Sequence, residues 1–289
     1  MTEIEHYVAP SSLEQAAEYL QRSGEVTILA GGTDLMPQSQ GGRLKFKRTL
    51  MNIRRVPELK GIALDGGEMR IGALVTITEI TQSELVKKHF PILADACDHF
   101  ASDQIRNAAT LGGNICNASP AGDTLVPLLV LDAEVELASK PNGSLSRRRI
   151  PLAEFFVGPG KTRLGPAELL AGVRIALPRA DRYARFFKFG TRPALDISTV
   201  SIGIAGTLAH GALSNTRVAF GAVAAVPMRA PRTEQALEGK RLDAASIAAI
   251  ADVAREEVTP IDDIRASAWY RKELIHNITK RMLSHVAQA

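Results

Sequence analysis

Two glycine pairs, each reached from an apolar segment, constrain this chain more than any other feature. The first stands in Ala30-Gly31-Gly32-Thr33-Asp34-Leu35, directly after Val26–Ala30, a short and partly β-branched run that reads as a buried strand. Adjacent glycines after such a strand permit positive φ and close approach of a second molecule. They also leave backbone N–H groups free to converge on an anion. The second pair stands in Thr110-Leu111-Gly112-Gly113-Asn114, followed by Ile115-Cys116-Asn117-Ala118-Ser119-Pro120-Ala121-Gly122-Asp123. One pair alone reads as a tight structural turn. Two in one chain point to a phosphate-bearing ligand held by backbone amides rather than by a lysine. Asp123 reads either as a plain helix N-cap or as an acceptor for a ligand N–H or hydroxyl.

Competing nucleotide motifs fail. Gly158-Pro159-Gly160-Lys161-Thr162 resembles the end of a P-loop, but Phe155 occupies the place of the first glycine, and Pro159 removes an amide the phosphate cradle needs. No GxGxxG follows a strand and no GxSxG marks a hydrolase elbow.

The rest of the chain reads as an α+β arrangement. Ser11 and Glu14 have the spacing of a capping box, so a helix is expected to Ser23, stopped by Gly24. Strands are expected at Thr49–Ile53, Ile62–Leu64 and Met69–Ala73, with Gly66-Gly67 as the turn between the last two. Helices are expected over Ile92–Phe100 and Leu125–Leu131, and a strand over Ala133–Ala138. A boundary is expected around Pro178-Arg179-Ala180-Asp181-Arg182, between strand-like runs at Leu169–Ile175 and Phe186–Phe189. Beyond it, Ile202–Leu208 and Thr216–Phe220 read as antiparallel strands. Two helices follow at 3.6-residue periodicity, one after Asp243 and one through Leu274, Ile275, Ile278, Met282 and Val286. Strands and helices do not alternate regularly enough for a doubly wound parallel sheet.

Composition removes whole function classes. Among 289 residues, 35 Lys and Arg against 31 Asp and Glu leave +4, too little excess to argue for nucleic acid, and 5% aromatics offer few stacking platforms. No apolar run approaches the roughly 18 residues of a membrane span, and the first residues lack the basic start of a secretory signal, so the expected compartment is the cytoplasm. Two cysteines, Cys97 and Cys116, and scattered histidines suggest no metal site. Basic residues bunch from Arg147-Arg148-Arg149 to Arg192, either as a solvated face or as a docking surface for an acidic partner or an anionic cofactor. Charge reversal at Arg147–Arg149 with an assay of complex assembly separates the two.

The motifs AGGTDL and TLGGNICNASPAGD together strongly resemble the FAD-binding medium subunit of the molybdenum hydroxylases, the xanthine dehydrogenase and carbon monoxide dehydrogenase group. Phe187-Lys188-Phe189-Gly190-Thr191-Arg192 with Asp196-Ile197-Ser198, and Ser267-Ala268-Trp269-Tyr270-Arg271, continue the resemblance in the family's order. Gly158-Pro159-Gly160-Lys161 and the run Arg192…Thr199 look most like bacterial xanthine dehydrogenase subunits.

The resemblance implies a two-lobed FAD-binding domain of the vanillyl-alcohol-oxidase/PCMH type over 1–177, with lobes of about 1–56 and 57–177. A small C-terminal domain of antiparallel sheet plus helices follows over 178–289. It implies FAD contacts from Ile28, Leu29, Ala30, Gly31, Gly32, Thr33, Asp34 and Leu35 on the diphosphate, and from Thr110, Leu111, Gly112, Gly113 and Asn114 as the second half of that cradle. Asp123 is implied at the flavin or its ribityl chain and Lys188 at the pyrimidine edge, where a cation favours reduced flavin. Phe100 and Leu170 are further candidates, each also readable as core. No catalytic acid or base is implied.

On the same footing, molybdopterin sits on a large partner subunit and two [2Fe–2S] clusters on a small one. Electrons then pass through FAD to NAD or another acceptor. An extra iron–sulfur cluster, carried on this subunit by relatives that reduce aromatic thioesters, cannot be built from Cys97 and Cys116. The rival readings are a free-standing flavin oxidase of the same fold and a cofactor-free scaffold.

Overall fold

A computed structural model describes residues 4–23, 25–178, 182–192, 195–209 and 211–288. Three main sheets follow one another along the chain. The first is parallel, in the order His6–Val8, Thr49–Asn52, Val26–Leu29. The second is antiparallel, in the order Ile62–Asp65, Glu68–Gly72, Leu169–Ala176, Glu134–Ser139, Ser146–Pro151. The third is an antiparallel meander of Arg182–Phe189, Val200–Ala209, Ala212–Gly221 and Met228–Arg229. Helices cover one side of each, so the class is α+β.

Local sequence explains most element ends. Gly66 and Gly67 both take positive φ and turn the hairpin between Ile62–Asp65 and Glu68–Gly72. Asp243 caps the helix Ala244–Glu257 by accepting from Ser246 N–H, and the Ser246 hydroxyl returns the bond to the Asp243 backbone. At Leu13–Ser23 the expected box is displaced by one residue. Ser12, not Ser11, receives the amide of Gln15, and the Gln15 side chain reaches back to Ser11 N–H. The expected stop at Gly24 and the boundary residues Arg179–Asp181 lie outside the described residues.

Each sheet has its own core. Leu13, Ala16 and Leu20 pack with Met51, Val56 and Leu59 under the first sheet. Ile77, Ile80, Phe90, Leu93 and Leu111 fill the side of the second. Ile247, Ile250, Ile275, Ile278 and Met282 cover the third, from Ala244–Glu257 and Ala268–Val286. The helix Leu125–Val130 joins the last two cores. All six of its residues are buried, and Val126 and Val130 press onto Gly203 and Gly221 of the third sheet, where a Cβ at either glycine stands 2.9 or 3.0 Å from Val126. Only glycine admits the helix that close.

The basic run Arg147–Arg149 is a strand whose charges are paired within the chain. Arg147 pairs with Glu136, Arg148 with Glu168, and Arg149 with Glu68 and Glu134. Glu136 is the hub. It is 3% exposed, and it also takes Arg174 Nε at 3.1 Å and Arg70 Nη2 at 3.4 Å. Strand register aligns these charges on one face: Arg70 stands opposite Arg174, and Glu136 opposite Gly172. Gly172 is required by the neighbouring strand, since a Cβ there stands 2.8 Å from the Ile71 carbonyl oxygen.

Burial opposes ionisation of Glu136, but Arg174, Arg70 and Arg147 outweigh it and hold the carboxyl below its usual 4.5. A lowered carboxyl stabilises the fold above pH 4.5 and loses that contribution as pH falls through its folded value. Glu136→Gln is therefore expected to cost about 2 kcal/mol at neutral pH, because it removes the buried charge that Arg70, Arg147 and Arg174 share. Urea melts of both proteins from pH 7 downward check this: the gap between them shrinks below the usual carboxylate range.

Candidate functional site

A cavity of about 880 Å³ opens between the first two sheets, and the connection Leu195–Ile197 ahead of the third sheet's second strand joins its lining. The size lies in the upper part of the range for cofactor pockets. Its first wall is the turn after Val26–Leu29. Ile28, Ala30, Gly31, Gly32, Thr33, Asp34 and Leu35 all line it. Gly32 takes φ of +76°. No backbone carbonyl among the described residues accepts the N–H groups of Gly31, Gly32, Thr33 or Asp34. Four adjacent donors on a cavity wall have the composition of an anion cradle. Leu29 is half-buried in the strand and does not line the cavity.

The second glycine pair is not a loop. Leu111–Asn117 is a short helix capped by the Thr110 hydroxyl, which accepts from Gly113 N–H. Its first amides are already engaged: Leu111 bonds Val75, Gly112 bonds Ala73 and Asn114 bonds Thr110. This corrects the expectation of two amide cradles. Thr110, Gly112, Gly113 and Asn114 line the cavity by surface, while Leu111 is buried in the core. The glycine at 112 is needed for packing, since a Cβ there stands 2.7 Å from the Ala73 Cβ.

Asp123 ends this wall and caps no helix. The following helix is preceded by Thr124, which makes no side-chain cap bond. Asp123 is instead 8% exposed, with both oxygens engaged: Lys188 Nζ donates to Oδ2 at 2.7 Å and Ser198 Oγ to Oδ1 at 2.8 Å. Lys188 donates also to the His99 carbonyl at 3.0 Å. It stands behind Asp123 and not on the cavity surface. Burial pushes the Asp123 carboxyl above its usual range, against the pull of Lys188 and Ser198. A buried pair held at that cost is a poor device for stability and a good one for fixing an acceptor in place.

Phe100 and Leu170 both line the cavity. Sequence reasoning missed several others. Gln38 lies on the helix Leu35–Gln40, and its amide donates to Asp34 and to Asn117 Oδ1. Ser102 and Ile105 come from the N-cap and body of the one-turn helix Asp103–Arg106, and Leu164 from a loop, all too short for readable periodicity. Leu195, Asp196 and Ile197 come from the connection before Val200–Ala209 and bring the third sheet's domain to the mouth. The P-loop-like stretch is a hairpin between Phe156–Gly158 and Lys161–Thr162, with Gly160 at φ of +67°. Among the described residues no helix is long and apolar enough to cross a membrane.

Comparison with known proteins agrees with this geometry. Residues 2–179 match the FAD binding domain in molybdopterin dehydrogenase, and residues 185–286 match the CO dehydrogenase flavoprotein C-terminal domain. The chain is 33% identical to a putative xanthine dehydrogenase FAD-binding subunit of Escherichia coli K12, covering 100% of this chain and 98% of the relative. A chain of the carbon monoxide dehydrogenase of Hydrogenophaga pseudoflava superposes with a TM-score of 0.89 at 31% identity, covering 96% of this chain and 94% of the other. A chain of the quinoline 2-oxidoreductase of Pseudomonas putida 86 gives 0.89 at 30% identity, covering 98% and 96%. The chain therefore belongs to the FAD-binding medium subunits of the molybdenum hydroxylases.

Proposed function

We propose that this chain relays electrons through FAD inside a complex with two other subunits. The observation that carries the reading is the row of unengaged amides from Gly31 to Asp34, in a cavity that also holds Phe100 and the Asp123 edge. On this reading the backbone from Ile28 to Leu35, Leu29 included, holds the diphosphate. The surface from Thr110 to Asn114, with Leu111 behind it, lets the cofactor approach the helix backbone. Phe100 and Leu170 supply apolar contact. Asp123 acts as an acceptor fixed in place by Lys188 and Ser198, each oxygen keeping a second lone pair for a ligand donor. Lys188 adds positive charge close behind.

FAD bound there supplies the exchange between one-electron donors and a two-electron acceptor. The donors are [2Fe–2S] clusters on a small partner subunit. The acceptor is NAD or another oxidant, and a large partner with molybdopterin oxidises the organic substrate. The names of relatives, a xanthine dehydrogenase FAD-binding subunit and a carbon monoxide dehydrogenase medium chain among them, support a role as one subunit of a larger dehydrogenase. We read residues 1–177 and 178–289 as the two domains. We place the complex in the cytoplasm, where the unpaired thiols of Cys97 and Cys116 are at home.

Reconstitution tests the relay. The chain is loaded with FAD, mixed anaerobically with its two partner subunits, and the flavin absorption is followed after substrate is added. Flavin bleaching is expected in the complex and not in the isolated chain. Turnover of a small molecule by the isolated chain contradicts the relay and makes it a free-standing oxidase.

The cavity assignment is open to a second check. Cys116 is an exposed residue that lines the cavity, but its sulfur is packed into the wall, and that desolvation pushes the thiol up to about 12. Cys97 is buried in the core. Prolonged treatment with methyl methanethiosulfonate, which reacts with thiols and spares lysine amines, is expected at mildly alkaline pH to modify Cys116 and not Cys97 in the cofactor-free chain, and saturating FAD to suppress it. Mass spectrometry of the labelled peptides reads both outcomes.

A further inference from the structure

The C-terminal helix Ala268–Val286 carries one buried cation, and its hydrogen bonds lead to the cavity. Arg271 is 3% exposed. Its Nη1 donates to two backbone carbonyls, Thr199 at 3.0 Å and Ala222 at 2.7 Å. Its Nη2 donates to both oxygens of Asp263 at 2.8 Å. Asp263 is itself locked, with Oδ1 accepting from Arg265 and Ala266 N–H groups. The planar fork of arginine suits this task, and a lysine has no equivalent.

Both carbonyls sit at ends of adjacent strands. Thr199 precedes Val200–Ala209, and Ala222 follows Ala212–Gly221 at φ of +62°. Beside each carbonyl, the next polar group crosses to the wall of the cavity. Ser198 Oγ donates to Asp123 Oδ1 at 2.8 Å. The Ala222 N–H donates to the Pro120 carbonyl at 2.7 Å. Thr199 N–H further donates to the Phe189 carbonyl at 2.8 Å, next to Lys188. One guanidinium thus grips the two backbone segments that between them hold the wall from Pro120 to Asp123.

The arrangement is costly in its own terms. Arg271 Nε is buried with no acceptor among the described residues, and so are the hydroxyls of Thr199 and Ser201. The side chain sits where the two carbonyls require it, not where its own donors are best satisfied.

We propose that Arg271 is a positioning residue for the cofactor site, fixing Asp123 and the wall from Pro120 to Asp123 from the C-terminal domain without touching the cofactor. This rests on the reading that the cavity holds FAD. The C-terminal helix then has a role in cofactor affinity in addition to covering the third sheet.

The test compares Arg271→Met, Arg271→Lys and Ser198→Ala in the full chain with Ile275→Val, a buried change one turn along the same helix. FAD affinity, the visible spectrum of bound flavin and Tm are measured for each. Arg271→Met is expected to weaken FAD binding by about tenfold and to shift the flavin bands, with Arg271→Lys recovering only part. Ile275→Val lowers Tm and leaves both flavin readouts unchanged. Ser198→Ala added to Arg271→Met has less effect than on its own, because the two act along one path.

Wild-type affinity and spectrum in Arg271→Met overturn the proposal, as does a loss that tracks Tm equally in Ile275→Val. Should Arg271→Met fail to fold, Arg271→Lys carries the same comparison. If the wild-type chain takes no FAD, the cavity reading has failed, and hydrogen exchange of the cofactor-free chain decides this inference. Faster exchange over residues 119–124 in the Arg271 variant alone supports it, and unchanged exchange overturns it.

Discussion

Gly31 lies against the Ala108 carbonyl so closely that a Cβ there stands 2.0 Å from its oxygen. That backbone-to-backbone approach is what the site depends on. It brings the turn after the first sheet's strand Val26–Leu29 onto the segment leading into the helix Leu111–Asn117, and the cavity forms between them. Any side chain at 31 pushes the two walls apart. The same closeness recurs at Gly112 against Ala73. Gly31–Asp34, with amides that no backbone carbonyl among the described residues accepts, line a cavity whose other wall has its first helical amides at Leu111, Gly112 and Asn114 already bonded. A cradle with preset donors loses little entropy on taking an anion.

The third sheet packs on the rest through the helix Leu125–Val130 and through Arg182, Arg217 and Arg229, which bond the Val130 carbonyl and Asp132, and it completes the site through polar contacts. The helix Leu125–Val130 settles onto Gly203 and Gly221, which fixes the two bodies in register. Only with that register set do Lys188 and Ser198 reach Asp123 from the far side of the boundary. Burial energy holds the domains together, and the hydrogen bonds select one arrangement of the cavity edge. Neither domain alone presents Asp123 in this state.

What the sequence revealed follows from the range of the interactions involved. The hairpin at Gly66-Gly67, the cap at Asp243 and the strand Val26–Leu29 rest on local chemistry and were legible. Glycines at 112 and 113 disfavour a helix, so the helix Leu111–Asn117 is not legible locally, and the close packing on Ala73 is what requires glycine at 112. Asp123 was open between cap and ligand because its partners, Lys188 and Ser198, lie far along the chain. Arg147–Arg149 looked like free charge for the same reason, since Glu136, Glu68 and Glu168 become neighbours only through strand register. The cavity-lining residues from Leu195 to Ile197 carried no pattern by themselves. Family resemblance, resting on glycine and aspartate motifs, located the walls that local rules left undecided.

The central claim is that this chain alone builds an FAD site from backbone amides and a fixed carboxylate. The most direct test is the visible absorption spectrum of the purified chain, with added FAD where it is isolated colourless, followed by acid release of the chromophore. The account predicts flavin bands without iron–sulfur absorption, and FAD in the acid supernatant. A chain that stays colourless in excess FAD contradicts it.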